Sequence, residues 1–92
     1  MKEIEVVADF YRFYDHQNGD QVRIRPRRFR MREAYQSEWQ VVNIDRVICQ
    51  EVEGFKDNKS LLFDCESDIN GLISRYSIKY LLSETRWVLF KN

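Results

Sequence analysis

The chain has 92 residues, of which 43% are hydrophobic and 14% aromatic, and its 15 basic and 15 acidic residues give no net charge. A chain of this length forms one domain, residues 1–92, and its aromatic content argues against intrinsic disorder. The lack of a basic excess weighs against a protein that coats nucleic acid non-specifically. No apolar stretch reaches the ~20 residues that a membrane-spanning helix needs, and the acidic N-terminal segment does not resemble a signal peptide. We therefore expect a cytoplasmic protein.

Short runs of β-branched and aromatic residues, separated by turn-forming residues, predict a mostly-β domain. Asn18-Gly19 and Asn70-Gly71 are strong hairpin signals because both residue types tolerate positive φ. Segments 3–14 and 69–82 also fit helical spacing, but their length and β-branched content favour strands. We expect a small antiparallel barrel or curved sheet of SH3-like size with little or no helix. The predicted strands are Glu3–Tyr14, Gln21–Arg25, Arg28–Glu33, Trp39–Val52, Ser60–Glu66, Ile73–Leu81 and Arg86–Lys91.

Two features of the central segment affect the predicted core. The apolar positions of Trp39–Val52 change parity along the run, which predicts a bulge or bend near Asn43-Ile44-Asp45. Cys49 and Cys65 lie in apolar surroundings, so we expect reduced, buried thiols, with a disulfide as the alternative if their strands are neighbours. Aromatic residues dominate core energetics. The predicted aromatic core comprises Phe10, Phe13, Phe29, Phe63, Phe90, Trp39 and Trp87.

Residues 23–32 hold six arginines and no carboxylate. Successive side chains of a strand point to opposite faces, so Val22 and Ile24 are expected to face inward. Beyond Pro26 the alternation restarts, with Phe29 and Met31 facing inward and arginines facing outward. The predicted binding surface consists of Arg23, Arg25, Arg28, Arg30, Arg32 and Tyr35.

This arginine-rich segment has two interpretations. Arginine forks bind phosphate oxygens in a bidentate manner, and Tyr11, Tyr14 or Tyr35 could stack on the bases of a single strand. In the structural interpretation, the arginines form a solvated face with cross-strand ion pairs, each worth ~0–1 kcal/mol. The neutral charge of the chain favours the second interpretation. The carboxylates proposed to lie across from the arginines are Glu51, Glu53, Asp64, Glu66 and Asp68.

Catalytic and metal-binding patterns are weak in this sequence. The only histidine, His16, lies in the segment before the first turn, where a surface-loop position is expected. The serines lack a Gly-x-Ser-x-Gly context, and there is no glycine-rich phosphate loop. One histidine and two separated cysteines do not provide the paired ligand spacing of a closed zinc site. We expect no enzyme activity, no cofactor and no metal.

The second half of the chain carries a recurring aromatic spacing. The motifs are Phe63-x-Cys65, Tyr76-x-Ile78-x-Tyr80 and Trp87-x-Leu89, preceded by Arg28-Phe29-Arg30, Tyr35 and Trp39-Gln40-Val41. This pattern, over residues 22–91, resembles a class of short bacterial β-domains of unknown function. The resemblance implies a β-barrel of bacterial or phage type and no particular activity.

These observations favour a non-catalytic interaction module. A flat β surface that exposes arginine and tyrosine suits a protein interface. The expected partner is therefore a protein or a second copy of the chain, bound through the arginine-rich strand face, with no membrane association. The alternative is a domain that binds the phosphate backbone of nucleic acid.

Overall fold

The computed structural model describes residues 2–19, 21–32 and 38–91, and the regular structure of this part is almost entirely β. The strands are β1 (Lys2–Asp15), β2 (Gln21–Met31), β3 (Gln40–Asn43), β4 (Arg46–Glu53), β5 (Ser60–Ile69), β6 (Leu72–Leu81) and β7 (Arg86–Lys91). Short 3-10 turns at His16–Asn18 and Lys56–Asn58 are the helical elements in these ranges. The mostly-β prediction is confirmed, and both segments that also fitted helical spacing are strands. Across the same ranges, none of the helical turns has the length and apolarity needed to cross a bilayer.

All strands belong to one antiparallel sheet with the order β3-β2-β1-β7-β6-β5-β4. The two edge strands, β3 and β4, are consecutive in the chain and are separated only by Ile44 and Asp45. Ile44 N–H donates to the Arg27 carbonyl at 2.9 Å, and Asp45 N–H donates to the Glu66 carbonyl at 3.1 Å. The curved sheet therefore brings its two edges together at this bend without closing. The predicted bend at residues 43–45 is confirmed.

Strand β1 has two different neighbours along its length. Its first part pairs with β7, from Lys2 opposite Lys91 to Val6 opposite Trp87. Its second part pairs with β2, as far as Asp15. The paired part of β1 therefore changes neighbour at Val6–Val7, and the β1–β2 hairpin continues beyond the β7 pairing.

Strand β2 is continuous through Pro26, whereas the sequence predicted two strands separated there. The register shifts where Asp9 lies opposite Arg28 and Phe10 lies opposite Pro26, so Arg27 is an extra residue on β2. This is a β-bulge, a position at which a proline is tolerated within a sheet. The bulge keeps the apolar residues on both sides of Pro26 facing the core.

Two glycines adopt the positive φ that their turns require. Asn70 (φ 54°) and Gly71 (φ 86°) form the two-residue turn between β5 and β6, which confirms that hairpin signal. Gly54, after β4, has φ 87°, and a Cβ at this position would collide with the carbonyl oxygen of Asn58. Glycine is therefore required at position 54 on two independent grounds.

The core lies on the inner face of the curved sheet. Phe63, Cys65 and Ile78 are fully buried at its centre. The hydroxyls of Ser67 and Tyr76 share a hydrogen bond of 2.6 Å, which satisfies two polar groups inside the core. The buried apolar cluster consists of Ile4, Val6, Phe29, Val42, Phe63, Cys65, Ile78, Trp87 and Leu89.

The aromatic core prediction is correct for some residues and wrong for others. Phe29, Phe63 and Trp87 are buried, and Phe13 and Phe90 are half-buried. Phe10 is 38% exposed and Trp39 is 49% exposed. The indole of Trp39 is exposed because it lies between arginine side chains on the outer side of the sheet.

The two cysteines also differ from one another. Both are free thiols, but only Cys65 is buried, so the prediction of a buried Cys49 is wrong. A bulge between Val47 and Cys49 places Cys49 opposite Asp64, whose side chain belongs to the outer face. Burial raises the pKa of the Cys65 thiol to about 12, and the Asp64 carboxylate adds to this increase.

Candidate binding surface on the outer face of β1, β2 and β3

The outer surface of β1, β2 and β3 collects the arginines of residues 23–32. Arg28 lies opposite Asp9 on one side and Asn43 on the other, and Arg30 lies opposite Val7 and Val41. Directly opposed residues share one face of a sheet, so these rows cross all three strands. We call this surface the arginine face; it consists of Arg23, Arg25, Arg27, Arg28, Arg30, Arg32, Val7, Asp9, Tyr11, Phe13, Asp15, Trp39 and Val41.

Two arginines of this face form ion pairs with carboxylates of β1. Arg28 Nε donates to Asp9 Oδ2 at 2.6 Å, and both side chains are more than half exposed. Arg23 Nη1 lies 3.1 Å from Asp15 Oδ2, in a less exposed position. These two pairs position the guanidinium groups along the strand, although exposed pairs add only ~0–1 kcal/mol to stability.

The electrostatic surroundings of Asp9 identify a member of the face that the sequence analysis did not select. The hydrogen bond from Arg28 lowers the pKa of Asp9, and the charges of Arg28, Arg30 and Arg27 contribute to the same shift. Arg27 is exposed and occupies the bulge beside Arg28. The sequence analysis did not select Arg27 because it placed Arg27 between two predicted strands, whereas β2 is continuous and Arg27 is the extra residue of its bulge.

Three other arginines lie over aromatic rings. The Arg25 guanidinium is 5.4 Å from the centroid of the Phe13 ring. The guanidinium groups of Arg30 and Arg32 lie 5.6 Å and 4.7 Å from the centre of Trp39. Such cation–π contacts contribute about 0.5–1 kcal/mol at exposed sites.

An exposed apolar row crosses the middle of the arginine face. Val7 is 48% exposed and Val41 is 55% exposed, and they flank Arg30 on the neighbouring strands. A shallow depression at this point is lined by the two valines together with Asp9, Arg28 and Arg30. The face therefore combines cationic groups with accessible aliphatic and aromatic surface.

The tyrosines proposed as stacking platforms lie in different places. Tyr11 is 41% exposed, lies opposite Arg25 on the arginine face and contacts the Phe13 ring. Tyr14 is 63% exposed and stacks on His16, with an interplanar angle of 16°. His16 is itself exposed in the turn, in agreement with the predicted surface-loop position. Tyr35, one of the predicted binding residues, lies outside the described residues.

The acidic residues of 51–68 do not pair with the arginine face as the structural interpretation proposed. Strand β5 is far from β2 in the sheet order, and its neighbours are β4 and β6. Glu66 binds Arg46 at 2.7 Å, and Glu53 binds Lys79 at 2.7 Å. The Asp64 carboxylate accepts a hydrogen bond from the Ser77 hydroxyl. The acidic strands therefore form a separate outer surface with basic partners of their own.

Sequence signals existed for some of the residues that the prediction missed. Adjacent Val41 and Val42 lie in one strand, so one of them must face outward. Ile4, Val6 and Ala8 alternate toward the core, which leaves Val7 on the outer side. The pairing of β1 and β3 on either side of β2 could not be read from the sequence, and this pairing creates the apolar row.

Comparisons of the chain with protein-family models, curated proteins and solved structures gave no match. The resemblance to short bacterial β-domains therefore stays a prediction.

Proposed function

We propose that the chain is a non-catalytic β module that binds a protein partner through the arginine face. The observation that carries this proposal is the exposed row of Val7, Arg30 and Val41 beside the half-exposed Trp39. Protein interfaces commonly combine an apolar centre with a polar rim, and tryptophan and arginine are enriched among their energetically dominant residues.

The charge of the face indicates the chemistry of the partner. The arginine face holds six arginines and two carboxylates, of which Asp9 pairs with Arg28 and Asp15 pairs with Arg23. An acidic protein surface with an apolar centre complements this arrangement. A second copy of the chain offers the exposed carboxylate of Glu51 on β4, away from the arginine face, whereas Glu53 and Glu66 pair with Lys79 and Arg46.

Binding to nucleic acid is the second candidate function. The observation in its favour is the position of the Arg30 and Arg32 guanidinium groups over the exposed Trp39 ring, since aromatic and arginine side chains together also hold bases. Against it, Asp9 and Asp15 lie among the arginines and repel phosphates, and the exposed valines have no counterpart in a phosphate backbone. The neutral net charge adds to this argument.

The test compares the wild-type chain with Trp39→Ala and Arg30→Ala. Arg75→Ala serves as the matched control because Arg75 is 71% exposed and lies on β6, outside the arginine face. Each protein is used to capture partners from a bacterial lysate, and sedimentation velocity measures self-association. We expect the two face variants to lose a partner, or the self-association, that the wild type and Arg75→Ala retain.

Fluorescence anisotropy with labelled single-stranded oligonucleotides at two salt concentrations tests the second candidate. Phosphate binding predicts a log–log salt slope of about −0.7 for each phosphate neutralised. Tight, salt-dependent binding that Trp39→Ala weakens would replace the protein-partner proposal with nucleic-acid binding. Capture that is equal for all variants would show that the arginine face is not the binding surface.

A further inference from the structure

The bend between β3 and β4 opens a cleft in the sheet. Strand β2 pairs with β3 only over residues 28–31, and the last contact is from Ile44 to Arg27. Beyond the bend, β4 follows β5 instead. Residues 21–26 of β2 and residues 46–53 of β4 therefore start close together at the bend and then diverge. In the described part of the chain, no strand pairs with these two edges.

An apolar cavity lies between the diverging strands, on the inner side of the sheet. It is lined by Ile24 of β2 and Val52 of β4, with Phe10, Leu61, Tyr80 and Leu82 behind them. Val52 is 60% exposed, Leu82 is 42% exposed and Phe10 is 38% exposed. The Phe10 ring also contacts the rings of Tyr80 and Trp87, so the floor of the cavity is continuous with the core.

The walls of this cleft determine the shape of a fitting ligand. A strand edge presents a row of backbone N–H and C=O groups that pair with another extended chain. An extended chain also directs every second side chain to one side. It could therefore pair with a wall of the cleft and place alternate apolar side chains against Phe10 and Val52. A helix satisfies its own backbone groups and cannot pair with these edges.

The charged side chains that line the cleft are both basic. Arg12 and Arg23 contribute to the lining, whereas the polar contribution from β4 is the neutral Gln50. Arg23 is already paired with Asp15, and Arg12 is exposed at the mouth. An acidic residue in the ligand would complement Arg12.

We propose that the cleft between β2 and β4 binds an extended peptide segment of a partner protein as an additional β-strand, with apolar residues at alternate positions and an acidic residue near Arg12. Apart from Arg23, which belongs to both, this site is distinct from the arginine face, because its apolar lining lies on the opposite face of the β1–β2 hairpin and because it uses the free edges of β2 and β4. It does not require the arginine face to bind anything.

The experiment selects ligands from a display library of random eight-residue peptides on the intact wild-type chain. We expect enriched sequences to alternate apolar and polar residues and to contain glutamate or aspartate. A selected peptide is then synthesised with a fluorescent label for anisotropy. Amide hydrogen exchange of the complex should show new protection in residues 21–26 or 46–53, because strand addition engages the backbone of an edge.

Two variants of the cleft and one matched control locate the site. Val52→Thr removes an exposed apolar contact without changing the branching of the side chain, and we expect about five-fold weaker peptide binding, a loss corresponding to about 1 kcal/mol. Arg12→Gln should weaken binding of the acidic peptide but not of a version with glutamine in place of its acidic residue. Val41→Thr makes the same chemical change on the arginine face at a similar exposure, and it should leave the affinity unchanged.

Several results would overturn the proposal. These are the absence of any enriched peptide, enrichment of basic or non-alternating sequences, and binding that protects neither edge from exchange. Protection of residues 46–53 that increases with the concentration of the chain alone would instead assign the edge to a second copy. Failure of this test leaves the arginine-face proposal intact, because Trp39→Ala and Arg30→Ala examine a different surface.

Discussion

The two halves of the sheet place aromatic side chains in opposite environments. In β5, β6 and β7, Phe63 and Trp87 are buried and lie 5.7 Å apart between ring centres. On β1 and immediately before β3, Tyr11 and Trp39 are more than 40% exposed, and arginines lie over the Trp39 ring. Apart from the buried Phe29 of β2, the same residue types therefore stabilise the core in one half and form a largely accessible surface in the other. Composition alone cannot distinguish these two uses; the strand neighbours decide between them.

The largest effect is expected in the buried half. Phe63→Ala removes a fully buried ring and leaves a cavity beside Trp87 and Ile78. Truncation of a buried phenylalanine costs about 3–5 kcal/mol, which is a large part of the stability of a small domain. Urea denaturation followed by circular dichroism would measure the loss. A change below about 1 kcal/mol would contradict the assignment of the core to this half.

The loop after β4 contains a second position, Gly54, at which substitution should destabilise the fold. Gly54→Ala should destabilise the fold by about 2 kcal/mol or more, because positive φ costs about 1–2 kcal/mol for a residue with a Cβ and the new Cβ meets the Asn58 carbonyl. Gly71→Ala is the matched control: its φ is 86°, but no atom lies within 4 Å of the added Cβ. Thermal unfolding of both variants should show the larger loss for Gly54→Ala, and equal losses would rule out the collision.

Alkaline pH should lower the unfolding free energy of the domain through two ionisable groups of the buried half, Cys65 and Tyr76. Burial raises the pKa of Cys65 from 9.0 to about 12, and burial raises that of Tyr76 from 10.0 to about 12 although its hydrogen bond with Ser67 opposes the increase. The unfolded chain therefore loses these protons first, and stability should fall as pH rises from about 9 to about 12. Unfolding free energies measured at intervals across this range would show the decrease. Cys65→Ala should reduce the slope of unfolding free energy against pH between pH 9 and 10. An unchanged slope in that interval would show that the Cys65 thiol does not cause the decrease in stability.

Substitutions in the exposed half should change the binding of a partner more than the unfolding free energy. Trp39→Ala removes a half-exposed ring, so we expect a loss of less than about 1 kcal/mol in unfolding free energy, in contrast to Phe63→Ala. If the arginine face binds a partner, the same variant should abolish most of that binding. A loss of stability comparable to that of Phe63→Ala would show that the ring supports the fold, and it would remove the contrast between the halves.

The smallest effect concerns the ion pair of Asp9 with Arg28. The pKa of Asp9 is lowered, mainly by the hydrogen bond from Arg28, so its carboxylate and the pair persist to a lower pH than those of an ordinary aspartate. Titration of the Asp9 carboxyl by NMR would show this directly. Arg28→Ala should raise the pKa towards the ordinary value, with little change in melting temperature because the pair is exposed. An ordinary pKa for Asp9 in the wild-type chain would contradict the hydrogen bond from Arg28 to its carboxylate.

The sequence predicted the strand content well because alternation and turn chemistry are local. The parity change at residues 43–45 located the bend between β3 and β4, and Asn70-Gly71 located a hairpin turn. The bulge at Arg27 was not predicted because it depends on the register with β1. The exposed positions of Trp39 and Cys49 were missed for the same reason: burial depends on which strands are neighbours, and the order of strands is not encoded in local periodicity.

The candidate surface was predicted only in part. The alternation of apolar and basic residues along the strand assigned four arginines to the exposed side, and all four are exposed: Arg25, Arg28, Arg30 and Arg32. Their carboxylate partners could not be assigned, because the acids of 51–68 and those of β1 are equally plausible from the sequence. The cleft between β2 and β4 has no sequence signature, since it results from two edges that diverge after one bend.

The pairing of β1 with β7 determines when the chain can fold during synthesis. Val6 lies opposite Trp87, so β1 can pair with β7 only after the residues as far as β7 have left the ribosome. Until then the side chains of Ile4 and Val6 are not buried against β7, although the β1–β2 and β5–β6 hairpins can form from local contacts. Long-range pairing of this kind slows folding and prolongs the exposure of apolar strands. The burial of Ile4 and Val6 in the nascent chain therefore depends on the synthesis of β7.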